Sequence, residues 1–178
     1  IKIEKPKDPV IDLEKYSIQH SGEFSADFMS LAARITDTIT TDSVGIKKAY
    51  GEIDTLDLYE GEAKFLSNTV VEVNGEQLTA EKIIIAVGSR PSVPPIPGLE
   101  GTPYITSREA LRPEKLPKKL LVIGGGYIAT ELGHVYAAMG SETVFFVRDC
   151  YLSREDHTIQ EAFQSTFEKH HRTLYGTK

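Results

Sequence analysis

The chain has 178 residues, enough for one compact domain or parts of two. Its net charge of -6 argues against gripping a phosphate backbone, and its 26% charged and 40% hydrophobic residues fit an ordinary soluble protein with a buried core. The single cysteine, Cys150, excludes an internal disulfide scaffold and makes a cytoplasmic setting the default expectation. No apolar run reaches the length of a membrane span, and the charged opening Ile1–Asp8 lacks the apolar core of a signal peptide. The first residue is not Met, which points to sequence upstream.

Residues 1–23 are polar, contain Pro6 and Pro9, and read as loop. A helix is expected from Ser25, which can cap it, with Phe24 and Met29 as a hydrophobic staple. Its apolar stripe would run through Phe28, Leu31, Ile35, Ile39, Ile46 and Tyr50. The Thr-rich stretch Thr36–Thr41 is a weak helix former and needs packing support. From Leu56 to Glu62 the period changes to two. Thr69–Val73, Asn74-Gly75 and Glu76–Thr79 read as a hairpin, because Asn-Gly accepts the positive φ of a tight turn. Ile83–Val87 reads as a strand covered on both faces. A proline-rich crossover through Pro94, Pro95, Pro97 and Pro103 follows. Leu120–Ile123 reads as a second buried strand. The helix after it carries Ile128, Leu132, Val135 and Met139 on its apolar face and ends at Gly140. Thr143–Val147 is a third strand, and Ile159, Ala162, Phe163 and Phe167 mark a further helix.

The informative stretch is strand, Gly124-x-Gly126-x-x-Ala129, helix, strand: a βαβ unit with a dinucleotide fingerprint. Gly124 permits the tight turn out of the strand. Gly126 lets a pyrophosphate approach the backbone, and Ala129 lets the helix pack near the strand. The helix N-terminus offers free N–H groups and partial positive charge to the phosphates. At the end of the next strand stand Val147 and Arg148, with Arg154 six residues on. NAD sites place an acid there for the ribose 2′-hydroxyl, whereas a guanidinium suits the 2′-phosphate of NADP. Asp149 is the competing candidate for the ribose acid, and a solvated surface charge is the plain alternative for Arg148.

The run Val122-Ile123-Gly124-Gly125-Gly126-Tyr127-Ile128-Ala129-Thr130-Glu131-Leu132-Gly133 resembles the NAD(P) turn of the class I pyridine nucleotide-disulfide oxidoreductases. That group includes glutathione, mycothione and mercuric reductases and dihydrolipoamide dehydrogenase. Ile83-Ile84-Ile85-Ala86-Val87-Gly88-Ser89-Arg90-Pro91 is similar to their second flavin segment, and Gly61-Glu62-Ala63-Lys64-Phe65 to the strand that meets the flavin adenine. The resemblance covers roughly Ser25 to the C-terminus and implies an α/β fold. It implies a Rossmann-like parallel sheet, parts of two dinucleotide-binding domains and a small antiparallel segment. Residues 1–117 would belong to an FAD-binding domain and 118–178 to an NAD(P)-binding domain. The cofactor-binding set would be Gly124, Gly126, Tyr127, Ile128, Ala129, Glu131, Arg148 and Arg154, with Ala63, Ala86 and Gly88 toward FAD. By the resemblance, Tyr127 would cover the nicotinamide pocket and Glu131 would sit near the flavin; from the residues alone, both could be plain exposed side chains.

The Arg148 and Arg154 pair resembles the NADPH-using members. Gly88-Ser89-Arg90-Pro91 and His134-Val135-Tyr136 are similar to the mycothione reductase branch, and Arg154-Glu155-Asp156 to mercuric reductase. The family's N-terminal FAD fingerprint, redox cysteine pair and C-terminal dimerisation domain are absent from these residues, so no catalytic set is complete and the 178-residue chain alone is expected not to turn over. The resemblance implies an enzyme that passes hydride from NADPH through FAD and a cysteine pair to a small-molecule or lipoyl disulfide. A homodimer is expected, with no nucleic-acid or membrane partner. An NAD-dependent dihydrolipoamide dehydrogenase is the alternative within the group, and a non-catalytic nucleotide-binding module the alternative outside it. Cys150 reads as an inert small residue. His170-His171 reads as a solvated helix end with no further ligand at metal-binding spacing, so no metal is expected.

Overall fold

Helix α1 (Phe28–Gly51) begins where the Asp27 carboxylate accepts from the N–H groups of Met29 and Ser30, at 3.0 and 3.1 Å, satisfying two donors that the first turn leaves orphaned. These coordinates are a computed structural model, which describes residues 27–176. The expected cap, Ser25, and its staple partner Phe24 lie outside the described residues. Of the anticipated stripe only Phe28 is buried, joined by Ala32, while Ile35, Ile39, Ile46 and Tyr50 are exposed. In the Thr-rich stretch the Thr40 hydroxyl donates back to the Thr36 carbonyl at 2.8 Å, as hydroxyls do inside helices.

The chain divides into two compact units: the described residues up to 35 with 96–176, and residues 36–95. In the latter, β1 (Ala63–Phe65), β2 (Val70–Val73) and β3 (Glu76–Thr79) form an antiparallel sheet in that order. Val73 pairs with Glu76, and the two residues between them both take positive φ (Asn74 52°, Gly75 85°), so the hairpin foreseen from Asn-Gly is present.

Two strand expectations in this unit fail. The alternation from Leu56 to Glu62 forms no strand; pairing begins only at Ala63. Ile83–Val87 forms no strand either, and Ile84 and Val87 are 90% and 89% exposed. A continuous apolar run becomes a buried strand only between other strands, and among the described residues none pairs with it.

After residue 95 the larger unit continues with a single 3-10 turn at Leu99–Gly101 inside the proline-rich crossover. Short helix α2 (Ser107–Ala110) follows, opened by a capping box in which the Thr106 N–H donates to Glu109 Oε2 at 2.8 Å and the Arg108 N–H to Thr106 Oγ1 at 3.3 Å. Then come β4 (Lys119–Ile123), α3 (Tyr127–Ala138), β5 (Glu142–Val147), α4 (His157–Phe167) and β6 (Arg172–Tyr175). The three strands are parallel in the order β4-β5-β6, with Ile123 opposite Phe146 and Val147 opposite Tyr175. Each strand-to-strand connection runs through a helix, as parallel pairing requires. The α/β class with a parallel sheet and a small antiparallel segment is therefore present. Strand β6 went unforeseen, since Arg172–Tyr175 alternates too briefly to stand out.

Two details of this unit depart from expectation. Strand β4 is half-exposed rather than buried: Leu120 and Val122 turn inward while Leu121 is 64% exposed. The buried face of α3 is Thr130, Gly133 and Tyr136, while Ile128 and Val135 are exposed. Size decides which face packs: a Cβ on Gly133 would lie 2.5 Å from the ring of Phe145 on β5, so this is the point of closest helix–strand approach. Beneath it lies the core of Phe145, Val147, Tyr151 and Phe167, with Val122, Leu152 and Phe163 packed around it. Its rings meet edge to face, Phe145–Phe167 at 5.0 Å and Tyr151–Phe167 at 5.1 Å, contacts that each contribute about 0.5–1.5 kcal/mol beyond burial. Tyr136, 2% exposed, donates to the Ala110 carbonyl at 2.9 Å and ties α3 to α2. Gly140 leaves α3 at φ 107°, as expected of a helix stop. No helix among the described residues is long and apolar enough to cross a membrane.

Candidate functional site

The turn between β4 and α3 uses its three glycines for three different reasons. The Gly124 N–H donates to the Phe146 carbonyl at 2.9 Å, holding the turn against β5. Its φ of 119° is backbone that L side chains rarely adopt, so the turn itself requires glycine. Gly125 is required by packing: a Cβ there would lie 2.9 Å from Val147 Cγ1 and 3.1 Å from the Cys150 carbonyl. The Gly125 carbonyl also accepts from the Leu152 N–H at 2.8 Å, fastening the turn to the loop after β5.

Gly126 is required by neither. Its φ of -79° and ψ of 171° suit any residue, and a Cβ would meet no heavy atom within 4 Å. Nothing among the described residues needs glycine here; what glycine preserves is free space over the backbone. That space faces the N-terminus of α3, where no side chain caps the helix. The first intrahelical bond from this end is donated by the Thr130 N–H to the Gly126 carbonyl at 3.1 Å. By helix geometry the amides of Gly126, Tyr127, Ile128 and Ala129 therefore have no intrahelical acceptor. Four donors without intrahelical acceptors, at the positive end of a twelve-residue helix and beside backbone left open by the described residues, fit an anionic pyrophosphate.

Around this turn Ala129 is half-buried, while Tyr127, Ile128 and Glu131 are exposed. The buried Thr130 hydroxyl donates to the Tyr127 carbonyl at 3.0 Å. Strand β5 ends with Val147 buried and Arg148 exposed, so the glycine turn, the first turn of α3 and Arg148 all lie at the carboxyl end of the parallel strands, where open α/β sheets bind ligands. Arg148 Nε lies 2.9 Å from Asp149 Oδ2. Both side chains are largely exposed, so this ion pair adds little stability, but it occupies the acid that competed for the ribose role. The Arg148 carbonyl accepts from the Gly176 N–H at 3.1 Å, joining the ends of β5 and β6. Arg154 is exposed in the turn before α4. Cys150 is half-buried, its Sγ 3.5 Å from Gln160 Oε1.

The flavin-side candidates are all exposed. Ala63 is exposed on β1 opposite Val73, and Ala86 and Gly88 are exposed in the irregular segment, with Gly88 at φ 69°. The open cleft of about 560 Å³ in residues 36–95 is lined by Lys47, Asp57, Tyr59, Glu60 and neighbours, and holds none of them.

Sequence reasoning missed Gly125 and Gly133. Three successive glycines where the fingerprint needs two, and a glycine in the middle of a helix, were the available signals. His171 also differs from expectation: α4 ends at Phe167, His170 is exposed, but His171 is half-buried against Phe167 and Phe145, at ring centroid distances of 4.2 and 5.4 Å. Burial, then the charges of His134 and His170, holds its imidazolium down to a pKa of about 4.

Residues 12–173 match a family described as pyridine nucleotide-disulphide oxidoreductase. A mercuric reductase of Bacillus cereus is 38% identical over 146 residues, which are 80% of this chain and 23% of that protein. A mercuric reductase of Lysinibacillus sphaericus is 46% identical over 109 residues, 61% of this chain and 20% of that protein. Among solved structures, the HOCl-induced flavoprotein disulfide reductase RclA from Escherichia coli superposes with a TM-score of 0.76 at 27% identity, covering 86% of this chain and 36% of that one. The chain thus spans about a fifth to a quarter of the length of these mercuric reductases.

Proposed function

The chain belongs to the pyridine nucleotide-disulphide oxidoreductase family, and from that premise we propose that its β4–α3 turn holds the pyrophosphate of NADPH in an FAD-dependent disulfide reductase. The observation that carries this reading is Gly126, a glycine with ordinary φ and open space where its Cβ would be. The amides of Gly126 to Ala129 bind the pyrophosphate, with Ile128 and Ala129 contributing backbone alone. Arg148 orients the far sugar through the terminal nitrogens that its bond to Asp149 leaves over, and Arg154 adds positive charge nearby. Tyr127 covers the nicotinamide end, and Glu131 sits on the same side of α3's start, toward the flavin. Ala63, Ala86 and Gly88 belong to the flavin's surroundings.

When bound, NADPH would supply a hydride at this turn, and FAD would supply the two-electron relay toward a cysteine pair and a small-molecule or lipoyl disulfide. Residues 1–117 are taken as part of an FAD-binding domain and 118–178 as part of an NAD(P)-binding domain, in a cytoplasmic homodimer. A second reading, an NAD-dependent dihydrolipoamide dehydrogenase, draws support from the Asp149 carboxylate at the end of β5.

Affinities of the full-length protein for NADPH and NADH separate the two. Arg148→Met is expected to weaken NADPH by about 1.5–3 kcal/mol, the range of a hydrogen bond to a charged group, and to leave NADH nearly unchanged. Equal affinity for both nucleotides, or a preference that survives Arg148→Met, removes the NADPH assignment.

A further inference from the structure

His134 on α3 and His171, just before β6, are 37 residues apart in sequence, yet Nδ1 of the first lies 3.0 Å from Nε2 of the second. The rings meet edge to face with centroids 5.2 Å apart. His171 is held by Phe167 and Phe145, while His134 is exposed, so one nitrogen is fixed by the core and the other is open to solvent. We propose that this pair is a binding site for a divalent copper- or nickel-class ion, with His134 Nδ1 and His171 Nε2 as cis ligands.

The separation is close enough for both nitrogens to reach one ion. With metal–nitrogen bonds of about 2.0–2.1 Å, two nitrogens 3.0 Å apart subtend roughly 90–97° at the ion. A near-right angle is the cis angle of tetragonal Cu(II) and Ni(II), which also stand above their neighbours in affinity for imidazole. Among the described residues no group of three or more His, Cys, Asp or Glu is placed to hold an ion, so water completes the coordination. Without metal, one ring must donate N–H to the other. Binding moves that hydrogen to the other nitrogen of the same ring, so no net proton is released. The site is independent of the nucleotide turn and of the oxidoreductase reading.

The test is titration of the full-length protein, its thiols alkylated so that cysteines do not compete, with Cu(II), Ni(II) and Zn(II) separately. The readouts are Cu(II) visible absorption, binding stoichiometry and melting temperature. One equivalent per chain is expected, tightest for Cu(II), with a melting temperature that rises with free metal. His134→Ala, at an exposed position that leaves the core intact, should weaken Cu(II) roughly tenfold or more, while His170→Ala leaves it unchanged. Equal Cu(II) affinity in wild type and His134→Ala would mean the pair is only a hydrogen bond and would overturn the site. A loss at His170→Ala as large as at His134→Ala would overturn this ligand set.

Discussion

Replacing Gly126 with alanine adds one methyl group to space that the folded chain leaves empty. Alanine is a poorer N-cap than glycine by about 0.5–1 kcal/mol, but it removes unfolded-state freedom worth about 0.4–1 kcal/mol, so stability should change by less than about 1 kcal/mol. Gly133→Ala is the matched control. Its Cβ would stand 2.5 Å from Phe145 Cε1 and Cζ, and that ring is 0% exposed and hemmed in by Phe167, Tyr151 and His171. The ring must move by roughly an ångström to restore ordinary contact, and overpacking of this kind costs about 1–3 kcal/mol, or about 2–12 °C in melting temperature for a protein of this size. Thermal unfolding and NADPH titration of the two variants should therefore give opposite patterns. Gly126→Ala keeps its melting temperature and loses about tenfold or more in affinity, because the methyl group occupies the path of the pyrophosphate. Gly133→Ala melts early but, below its transition, binds with nearly wild-type affinity. A Gly126→Ala protein that binds NADPH as well as wild type would rule out this role for Gly126, since its glycine would then serve neither fold nor ligand.

Two further predictions concern the frame that holds this turn. Tyr136→Phe removes the 2.9 Å bond to the Ala110 carbonyl from a residue 2% exposed, and should cost about 1 kcal/mol in urea unfolding; no change would mean that α2 contributes nothing to the position of α3. Stability should also depend on pH through His171, whose pKa falls from 6.5 when unfolded to about 4 when folded. Below 6.5 the unfolded chain binds the extra proton first, so this contribution is complete above pH 6.5 and is lost as pH falls toward 4. His171→Phe should flatten that slope, and an identical slope in the variant would contradict the assignment.

Much of the larger unit was legible because its signals are local. The fingerprint Gly124-x-Gly126-x-x-Ala129, the helix stop at Gly140 and the period of the helix at Phe163 and Phe167 each depend on a few neighbours in sequence. The Asn74-Gly75 turn was legible for the same reason. What failed depends on partners distant in sequence. Ile83–Val87 has the composition of a buried strand, but no described strand pairs with it, and composition cannot report that. The face of α3 was misjudged because hydrophobicity points to Ile128 and Val135, whereas contact with β5 is set by the absence of a side chain at Gly133. His134 and His171 meet only because α3 and the end of α4 pack on the same ring of Phe145. Spacing rules along the sequence cannot see such a pair.

Backbone amide NMR of the protein during NADPH titration tests the nucleotide turn most directly. The largest shifts should fall on the N–H groups of Gly126, Tyr127, Ile128 and Ala129, with smaller ones at Arg148 and little change at Gly133 or in the hairpin around Asn74. Unchanged resonances at those four amides under saturating nucleotide would mean that the turn does not hold the pyrophosphate.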